Sequence, residues 1–462
     1  MNKTTAIILA AGKSSRMGGG MQKSFYEVGG EKLMIHLLDK ICDAGFDNIF
    51  IVINRDYLDW QLRYIEDFLH KKNTLCDFVY QDEQLGTGHA ILTCINSEQY
   101  KSKTHEDVVI FYADTPLIEL PSIVNLKTQL LHEKSGLICG FVCDKESQYG
   151  RIVLDDSKKF VEKIIEYKDY KNDIDVQKIK LCNSGIFAIK NQVLVEKIGF
   201  INSQNNANEY YLFDILNYID EKFSFFEINE DEAIGINNFY ELSMAERIWQ
   251  KRQRNFWMIK MFVQMQDPHT VFFSFHNKIG RFAKIGSNVE IKNHVEIGEN
   301  VVIESNNVIG ANVKIGKNTK IKSFSYICDT EIGENCEIGP FASLTSNNFI
   351  DNGNIVGNFV EIKRSKLGEG NKIKHLSYIG DVEMGMKNNV GAGMITCNYD
   401  GKKKHITKVE NQNFFGANSC IIAPITIGSG NILGAGSVMT SSVDDDNLIV
   451  ERGEEKIKKR KK

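Results

Sequence analysis

Residues 279–327, IGRFAKIGSNVEIKNHVEIGENVVIESNNVIGANVKIGKNTKIKSFSYI, carry isoleucine at every sixth position: Ile279, Ile285, Ile291, Ile297, Ile303, Ile309, Ile315, Ile321 and Ile327. Neither an α-helix nor a hairpin sheet keeps a period of six over so long a run. A chain wound as short flat strands joined by tight corners does. Each strand sends one large aliphatic residue inward, three strands close a triangular coil, and stacked coils bury an aliphatic column. Gly often follows the inward residue (Ile285-Gly286, Ile297-Gly298, Ile427-Gly428), as corners with special backbone angles demand. After Ile327 the register slips by one, to Ile332 and Ile338. A longer insertion is expected near Thr345–Asn354, before Val356 and Ile362 resume the pattern. A second series runs Val409, Phe415, Ile421, Ile427, Leu433 and Met439.

Upstream of the ladder, Tyr240–Gln266 holds helix formers of both charge signs with no Gly or Pro, and reads as one connecting helix ended by Asp267-Pro268. Residues 1–238 alternate short apolar runs with helix-like segments. Ala6–Leu9, Ile49–Ile53, Val108–Tyr112 and Leu137–Val142 suit buried parallel strands, with Met34–Ala44 and Asp59–His70 among the helices. The division expected is an α/β domain at 1–238, a helical linker at 239–266 and a β-helix with a basic tail at 267–462. At 462 residues, 42% hydrophobic and 25% charged, the chain has ordinary globular composition. Its formal net charge of −4 argues against a general nucleic-acid binder, and no run is long and apolar enough for a membrane span. Ten cysteines without CxxC pairs read as reduced thiols, which points to the cytoplasm.

Leu9-Ala10-Ala11-Gly12-Lys13-Ser14-Ser15-Arg16-Met17 joins a buried strand to a small-residue loop with two cations, and Lys23 follows. Such a loop lets backbone N–H groups approach a polyphosphate while Arg and Lys offset its charge. It lacks the GxxxxGK[ST] spacing of a Walker loop, and alone it is as often a mere turn. Gln81 to Ala90, with Gly86 and Thr87, supplies amide and hydroxyl groups suited to a base edge. Phe111-Tyr112-Ala113-Asp114 sets a carboxylate just beyond a buried strand, suited to Mg²⁺ but also to a turn or helix cap.

Together with Tyr149-Gly150-Arg151, Ile165-Glu166, Asn183-Ser184-Gly185 and Gly235-Ile236-Asn237-Asn238, these segments resemble the sugar-nucleotide pyrophosphorylases. The resemblance implies that Leu9, Ala10, Ala11, Gly12, Arg16 and Lys23 grip UTP, and that Gln81, Gly86 and Thr87 read uracil. Asp114 and Asn237 would hold Mg²⁺, beside Tyr112, and Gly150, Glu166 and Asn183 would line a sugar pocket. Three departures stand out: Gly12-Lys13-Ser14-Ser15-Arg16-Met17 replaces the family's GxGTRM, Gln22-Lys23-Ser24-Phe25-Tyr26 replaces its PKVLH, and Ala113 replaces a Gly.

In the second half, Val356 to Lys363, His375 to Asp381 and Asn389-Val390-Gly391-Ala392-Gly393-Met394-Ile395-Thr396-Cys397-Asn398-Tyr399-Asp400-Gly401 resemble the bifunctional UDP-N-acetylglucosamine synthesis enzymes of bacteria. Such enzymes join an N-acetylglucosamine-1-phosphate uridyltransferase to a glucosamine-1-phosphate acetyltransferase. The resemblance spans nearly the whole chain and implies a left-handed parallel β-helix that packs as a homotrimer. It makes His375 the base that deprotonates the amine, as an imidazole suits at neutral pH. Lys363 and Tyr378 would hold the sugar phosphate, with Asn389 on the sugar. Asn398, Tyr399, Ala392, Ala417 and Ala435 would bound an acetyl-CoA site between neighbouring subunits, with Arg452 near the CoA phosphates. Thr345 stands where the family usually carries an Arg, which would weaken acetyl transfer unless Arg364 partly substitutes. The expected function is acetylation of glucosamine 1-phosphate followed by uridylation of the product; the alternative is a uridyltransferase whose β-helix serves mainly for assembly.

Overall fold

The computed structural model describes residues 3–12, 17, 21–143, 147–205, 208–451 and 453. It forms two compact units, Met1–Trp249 and Gln250–Lys462. Arg16 and Arg452 lie outside the described residues.

The first unit is built on a nine-stranded sheet. Its strands Asp77–Tyr80, Asn48–Ile53, Thr4–Leu9 and Asp107–Tyr112 lie side by side and parallel, covering three of the four apolar runs expected; the fourth, Leu137–Val142, has an antiparallel neighbour on one side and a parallel one on the other. Ile7, Ile8, Phe50, Ile51, Val108 and Ile110 are fully buried, as strands covered on both faces require. Beyond them the sheet changes sense. Leu181–Lys190 runs antiparallel between Asp107–Tyr112 and Gly136–Val142, so the sheet is mixed. Helices Leu33–Asp43 and Asp59–Lys71 match their expected positions within one residue. The carboxyl ends of Thr4–Leu9 and Asp107–Tyr112 open into the loops that carry Gly12 and Asp114, where ligands bind in sheets of this kind.

The second unit is a parallel β-helix whose three faces are sheets of eleven, ten and nine strands. Each strand pairs with the one a coil later: Ile285 with Ile303, Ile291 with Ile309, Ile297 with Ile315. All nine ladder isoleucines are buried. The slip after Ile327 is a coil one residue short, in which Ile315 pairs with Ile332. The insertion expected near Thr345–Asn354 does not exist. Leu344, Ile350 and Val356 keep the six-residue step, all buried, and pair with Ile362, Leu367 and Ile373. What broke the visible pattern is a polar corner, where Ser346 and Asn347 take positive φ. The real insertion lies higher, where Met384 pairs with Val409 and the loop containing Asn398 and Tyr399 leaves the stack.

Corners recur with positive φ in Asn288, Asn306, Asn300, Asn318 and Asn335, the side chain that tolerates this region best after Gly. A buried asparagine ladder runs inside the upper half. Asn354 Oδ1 accepts from the Asn371 N–H at 3.0 Å, Asn371 Oδ1 from the Asn388 N–H at 2.9 Å, and Asn388 Oδ1 from the Asn413 N–H at 2.9 Å. Each rung satisfies a corner N–H that the strands leave open.

The connecting helix is Phe239–Lys260, shorter than expected. Gln264–Met265 is already a β-helix strand, paired with Lys284–Ile285. Nor is the helix a segment apart from both domains. Its first half belongs to the first unit, where Glu246 accepts from the Gly29 N–H at 2.6 Å and Trp249 meets His36 edge-on. Its second half belongs to the second unit, with Gln250 bonded to the backbone of Phe273. Among the described residues no helix is long and apolar enough to cross a membrane. All ten cysteines are free thiols.

Candidate active sites

In the first unit, Leu9, Ala10, Ala11, Gly12, Lys23, Gln81, Gly86, Thr87, Tyr112 and Asp114 line one cavity of about 420 Å³. Its floor is fixed by backbone and amide bonds. The Ala10 N–H donates to Val52 O at 2.8 Å, Asn54 Nδ2 to Ala11 O at 3.2 Å, and Gln22 Nε2 to Asn54 Oδ1 at 3.2 Å. Gly86 has φ +118°, and a Cβ there would stand 2.6 Å from Tyr210 O, so only Gly fits this turn. Gln81 Nε2 reaches His89 Nδ1 at 2.9 Å and Gly86 O at 3.3 Å, which holds the amide at the cavity wall. Tyr112 bonds Thr87, and burial pushes its phenol above the usual range. Gln22, Ser24, Gln84 and Glu209 also line the cavity; the first three lie in the quoted segments without a role assigned to them, and Glu209 lies outside those segments.

Asp114 and Asn237 are 123 positions apart but meet through the backbone, where the Ile236 N–H donates to Asp114 O at 2.8 Å. The Asn237 N–H is held by Glu241 Oε2 at 2.5 Å. Between the two side chains lies the Lys23 ammonium, 2.5 Å from Asp114 Oδ2 and 2.7 Å from Asn237 Oδ1. A carboxylate and an amide oxygen converging on one cationic point form the hard-oxygen donor set that Mg²⁺ takes, with Lys23 standing where that charge is wanted. The residues therefore fit a divalent ion.

The three sugar-pocket candidates form one group. The Asn183 N–H donates to Gly150 O at 2.8 Å, and Asn183 Oδ1 accepts from the Gly185 N–H at 3.0 Å. A Cβ on Gly150 would lie 2.7 Å from Glu166 Oε1, so Gly at 150 makes room for that carboxyl. Burial, with Asp169 nearby, raises Glu166 from the ordinary carboxylate range to about 7. A carboxyl half neutral at physiological pH can donate or accept a bond from a sugar hydroxyl.

In the second unit, strand Lys372–His375 ends at a corner formed by Leu376, φ +42°, and the next strand begins at Tyr378. His375 and Tyr378 thus flank one corner. Lys363 lies one coil below, paired with Gly380, and Asn389 one coil above Lys372. The Lys363 ammonium bonds Glu361 Oε1 at 2.5 Å, which raises its pKa. His375 Nδ1 stands 3.0 Å from Asn358 Oδ1, its register partner in the coil below. An amide oxygen only accepts, so this contact makes Nδ1 the donor and leaves the Nε2 lone pair free to take a proton. Asn358 was missed as a functional residue, although its spacing of one 17-residue coil before His375 was available.

The alanines form a column above His375. Two residues beyond the Ile373/Val390 pair, Ala392 is the coil successor of His375. Ala392 O accepts from the Asn418 N–H at 2.7 Å, and Ala417 O from the Gly436 N–H at 2.8 Å, so Ala417 and Ala435 continue the stack. All three are exposed, leaving a shallow strip of backbone along the corner. Asn398 is buried and bonds Asp381, and Tyr399 is exposed on the inserted loop, bridged to Lys404. Arg364 forks onto Asp381 at 2.7 and 2.9 Å, holding that carboxyl below its usual range and fixing the partner of Asn398. Thr345 pairs in register with Lys363, its hydroxyl buried without a hydrogen-bond partner.

A nucleotide-sized cavity with a hard-oxygen pair in one unit, and a histidine on a hexapeptide-repeat β-helix in the other, define a two-domain transferase. Comparisons agree with both halves. Residues 6–169 match the MobA-like NTP transferase domain, and residues 278–311 and 312–346 match the bacterial transferase hexapeptide repeats. Curated relatives named "Bifunctional protein GlmU" align along nearly the whole chain. That of Bartonella bacilliformis is 34% identical over 98% of this chain and 95% of its own. The protein of Zymomonas mobilis is 36% identical over 98% and 95%, and that of Allorhizobium ampelinum 39% over 98% and 94%. The chain belongs to the GlmU family of bifunctional enzymes, with nucleotidyltransferase and acetyltransferase activities.

Proposed function

We propose that the second unit acetylates glucosamine 1-phosphate with acetyl-CoA and that the first then transfers UMP from UTP to the product, giving UDP-N-acetylglucosamine and pyrophosphate. The observation that carries this reading is the His375 column. A histidine whose Nδ1 is committed to Asn358 sits at the foot of an open strip of alanines, the shape needed to lay a thin acyl carrier beside a base. His375 Nε2 takes a proton from the sugar ammonium, the free amine attacks the thioester carbonyl, and the CoA thiolate leaves and is protonated. Lys363 and Tyr378 place the sugar phosphate, Asn389 faces the sugar, and Arg452 meets the CoA phosphates.

In the first unit the product's phosphate oxygen attacks the α-phosphorus in line, and pyrophosphate leaves from the opposite side. The chain's share is positioning and charge: Ala10 to Gly12, Arg16 and Lys23 on the phosphates, Gln81, Gly86 and Thr87 on the base, and Gly150, Glu166 and Asn183 on the sugar. Asp114 and Asn237 would hold Mg²⁺, whose charge offsets that of the phosphates.

The cytoplasm suits a chain with ten free thiols. A homotrimer joined through the β-helix is supported by its unlike faces. One is laced with ion pairs such as Lys278 with Glu296 and Lys314 with Glu331, whereas another exposes Tyr326, Ile395 and Val438 beside stacked Phe324, Phe341 and Phe359. Thr345, a neutral side chain with a buried hydroxyl where the resemblance leads to an Arg, favours a second reading, a uridyltransferase whose β-helix is a weakened or inactive acetyltransferase serving for assembly. Product analysis from glucosamine 1-phosphate, acetyl-CoA, UTP and Mg²⁺ tests both halves. UDP-N-acetylglucosamine should form, fail to form in His375→Ala, and be restored there by N-acetylglucosamine 1-phosphate. Absence of CoA release above the His375→Ala level would leave only the second reading.

A further inference from the structure

We propose that Lys23 is a resident counter-cation for the Asp114–Asn237 pair, which a divalent ion displaces, so that metal uptake releases the ammonium toward the nucleotide. The inference rests on the metal assignment made above. Lys23 Nζ bonds two acceptors from distant parts of the chain, Asp114 Oδ2 at 2.5 Å and Asn237 Oδ1 at 2.7 Å. Those are the two oxygens that would bind the metal, so ammonium and metal compete for one place. Both side chains of the ion pair are largely withdrawn from solvent, 21% and 28% exposed. An unpartnered Asp114 carboxylate there would be costly, and the lysine removes that cost in the metal-free protein.

The anchoring of Lys23 favours such an exchange. Its backbone sits in the single helical turn Lys23–Phe25, pinned by the two residues that follow Lys23. Ser24 Oγ lies 2.7 Å from Tyr57 Oη, and Phe25 is fully buried edge-on against Tyr57, Trp60 and Tyr64. The Cα is therefore fixed while a flexible four-carbon stem carries the charge. That stem lines the same cavity as Ala10 and Gly12, so an ammonium leaving Asp114 stays within the nucleotide site. Two cations a few ångströms apart repel, which drives the release.

The test is Mn²⁺ binding to the full chain without nucleotide, followed by electron paramagnetic resonance, with peptide-resolved amine labelling of Lys23. Lys23→Gln should bind Mn²⁺ about tenfold more tightly than the wild type, and Lys23→Arg, which keeps the charge, should not. In the wild type, Mn²⁺ should raise the labelling of Lys23. In Asp114→Asn, labelling should be high from the start and indifferent to Mn²⁺. Equal or weaker Mn²⁺ affinity in Lys23→Gln, or labelling that Mn²⁺ leaves unchanged or lowers in the wild type, would overturn the exchange. Undiminished Mn²⁺ affinity in Asp114→Asn would instead overturn the metal assignment on which it rests.

Discussion

Replacing Asn358 with Ala removes one contact from the acetyl-transfer site and leaves the base itself in place. Asn358 Oδ1 lies 3.0 Å from His375 Nδ1, and the two residues pair in adjacent coils. His375 is exposed at the end of its strand, so without Asn358 its ring is free to rotate and to exchange tautomers. A neutral hydrogen bond of this kind contributes about 0.5–1.5 kcal/mol. If that free energy is spent orienting the ring, kcat for acetyl transfer should fall about 2- to 13-fold. Loss of the base in His375→Ala should cost far more, about 10²- to 10⁴-fold. The assay is continuous thiol release at saturating glucosamine 1-phosphate and acetyl-CoA. Uridyl transfer from UTP to N-acetylglucosamine 1-phosphate, measured on the same preparation, should be unchanged and controls for folding. An Asn358→Ala enzyme with wild-type kcat beside a crippled His375→Ala would refute the claim that Asn358 orients the base.

Three further outcomes are expected. Gly150→Ala puts a methyl 2.7 Å from Glu166 Oε1, and a displacement of that carboxyl by about 1 Å should cost uridyl transfer on the order of 100-fold while acetyl transfer is spared; kcat/KM for N-acetylglucosamine 1-phosphate measures it, and a fall below twofold would show that the pocket yields. Glu166 is raised from about 4.5 to about 7, so the folded state holds a proton that the unfolded chain has released between those values. Stability should therefore fall as pH rises from 4.5 to 7 and level off above, and Glu166→Gln should gain Tm relative to the wild type across that window; parallel Tm profiles would contradict it. Asn371→Ala removes a fully buried side chain that accepts from the Asn388 N–H and donates to Gly368 O and Gly385 O, leaving buried groups unbonded at a cost of at least about 2 kcal/mol. Urea unfolding followed by hydrogen exchange should locate the loss in the β-helix, and an unchanged midpoint would mean that water replaces the ladder.

The β-helix was legible in the chain because its signal is local and repeated: one isoleucine per strand, six residues apart, wherever the strand pairs. Where a corner is polar the signal fades, so Ile350 passed for part of an insertion although the stack runs through it unbroken. The excursion at Asn398–Tyr399 shows only in the coil pairing of Met384 with Val409. The helix after residue 238 was visible from composition. Its end at Lys260 was not, because Gln264–Met265 becomes a strand only by pairing with the next coil.

By itself the sequence determined the two architectures, the strand-end position of Asp114, the spacing of His375 and a resemblance that supplied the candidate site residues. The tertiary structure decided which of those groups meet. Lys23, Asp114 and Asn237 converge because a parallel sheet brings the carboxyl ends of distant strands together, and backbone bonds then tie the Asn237 loop to Asp114. Asn358 reaches His375 and Arg364 reaches Asp381 because a coil, here 17 residues long, returns the chain to the same edge. Such contacts depend on register and side-chain direction summed over many residues, whereas a period of six needs only the next strand to be read.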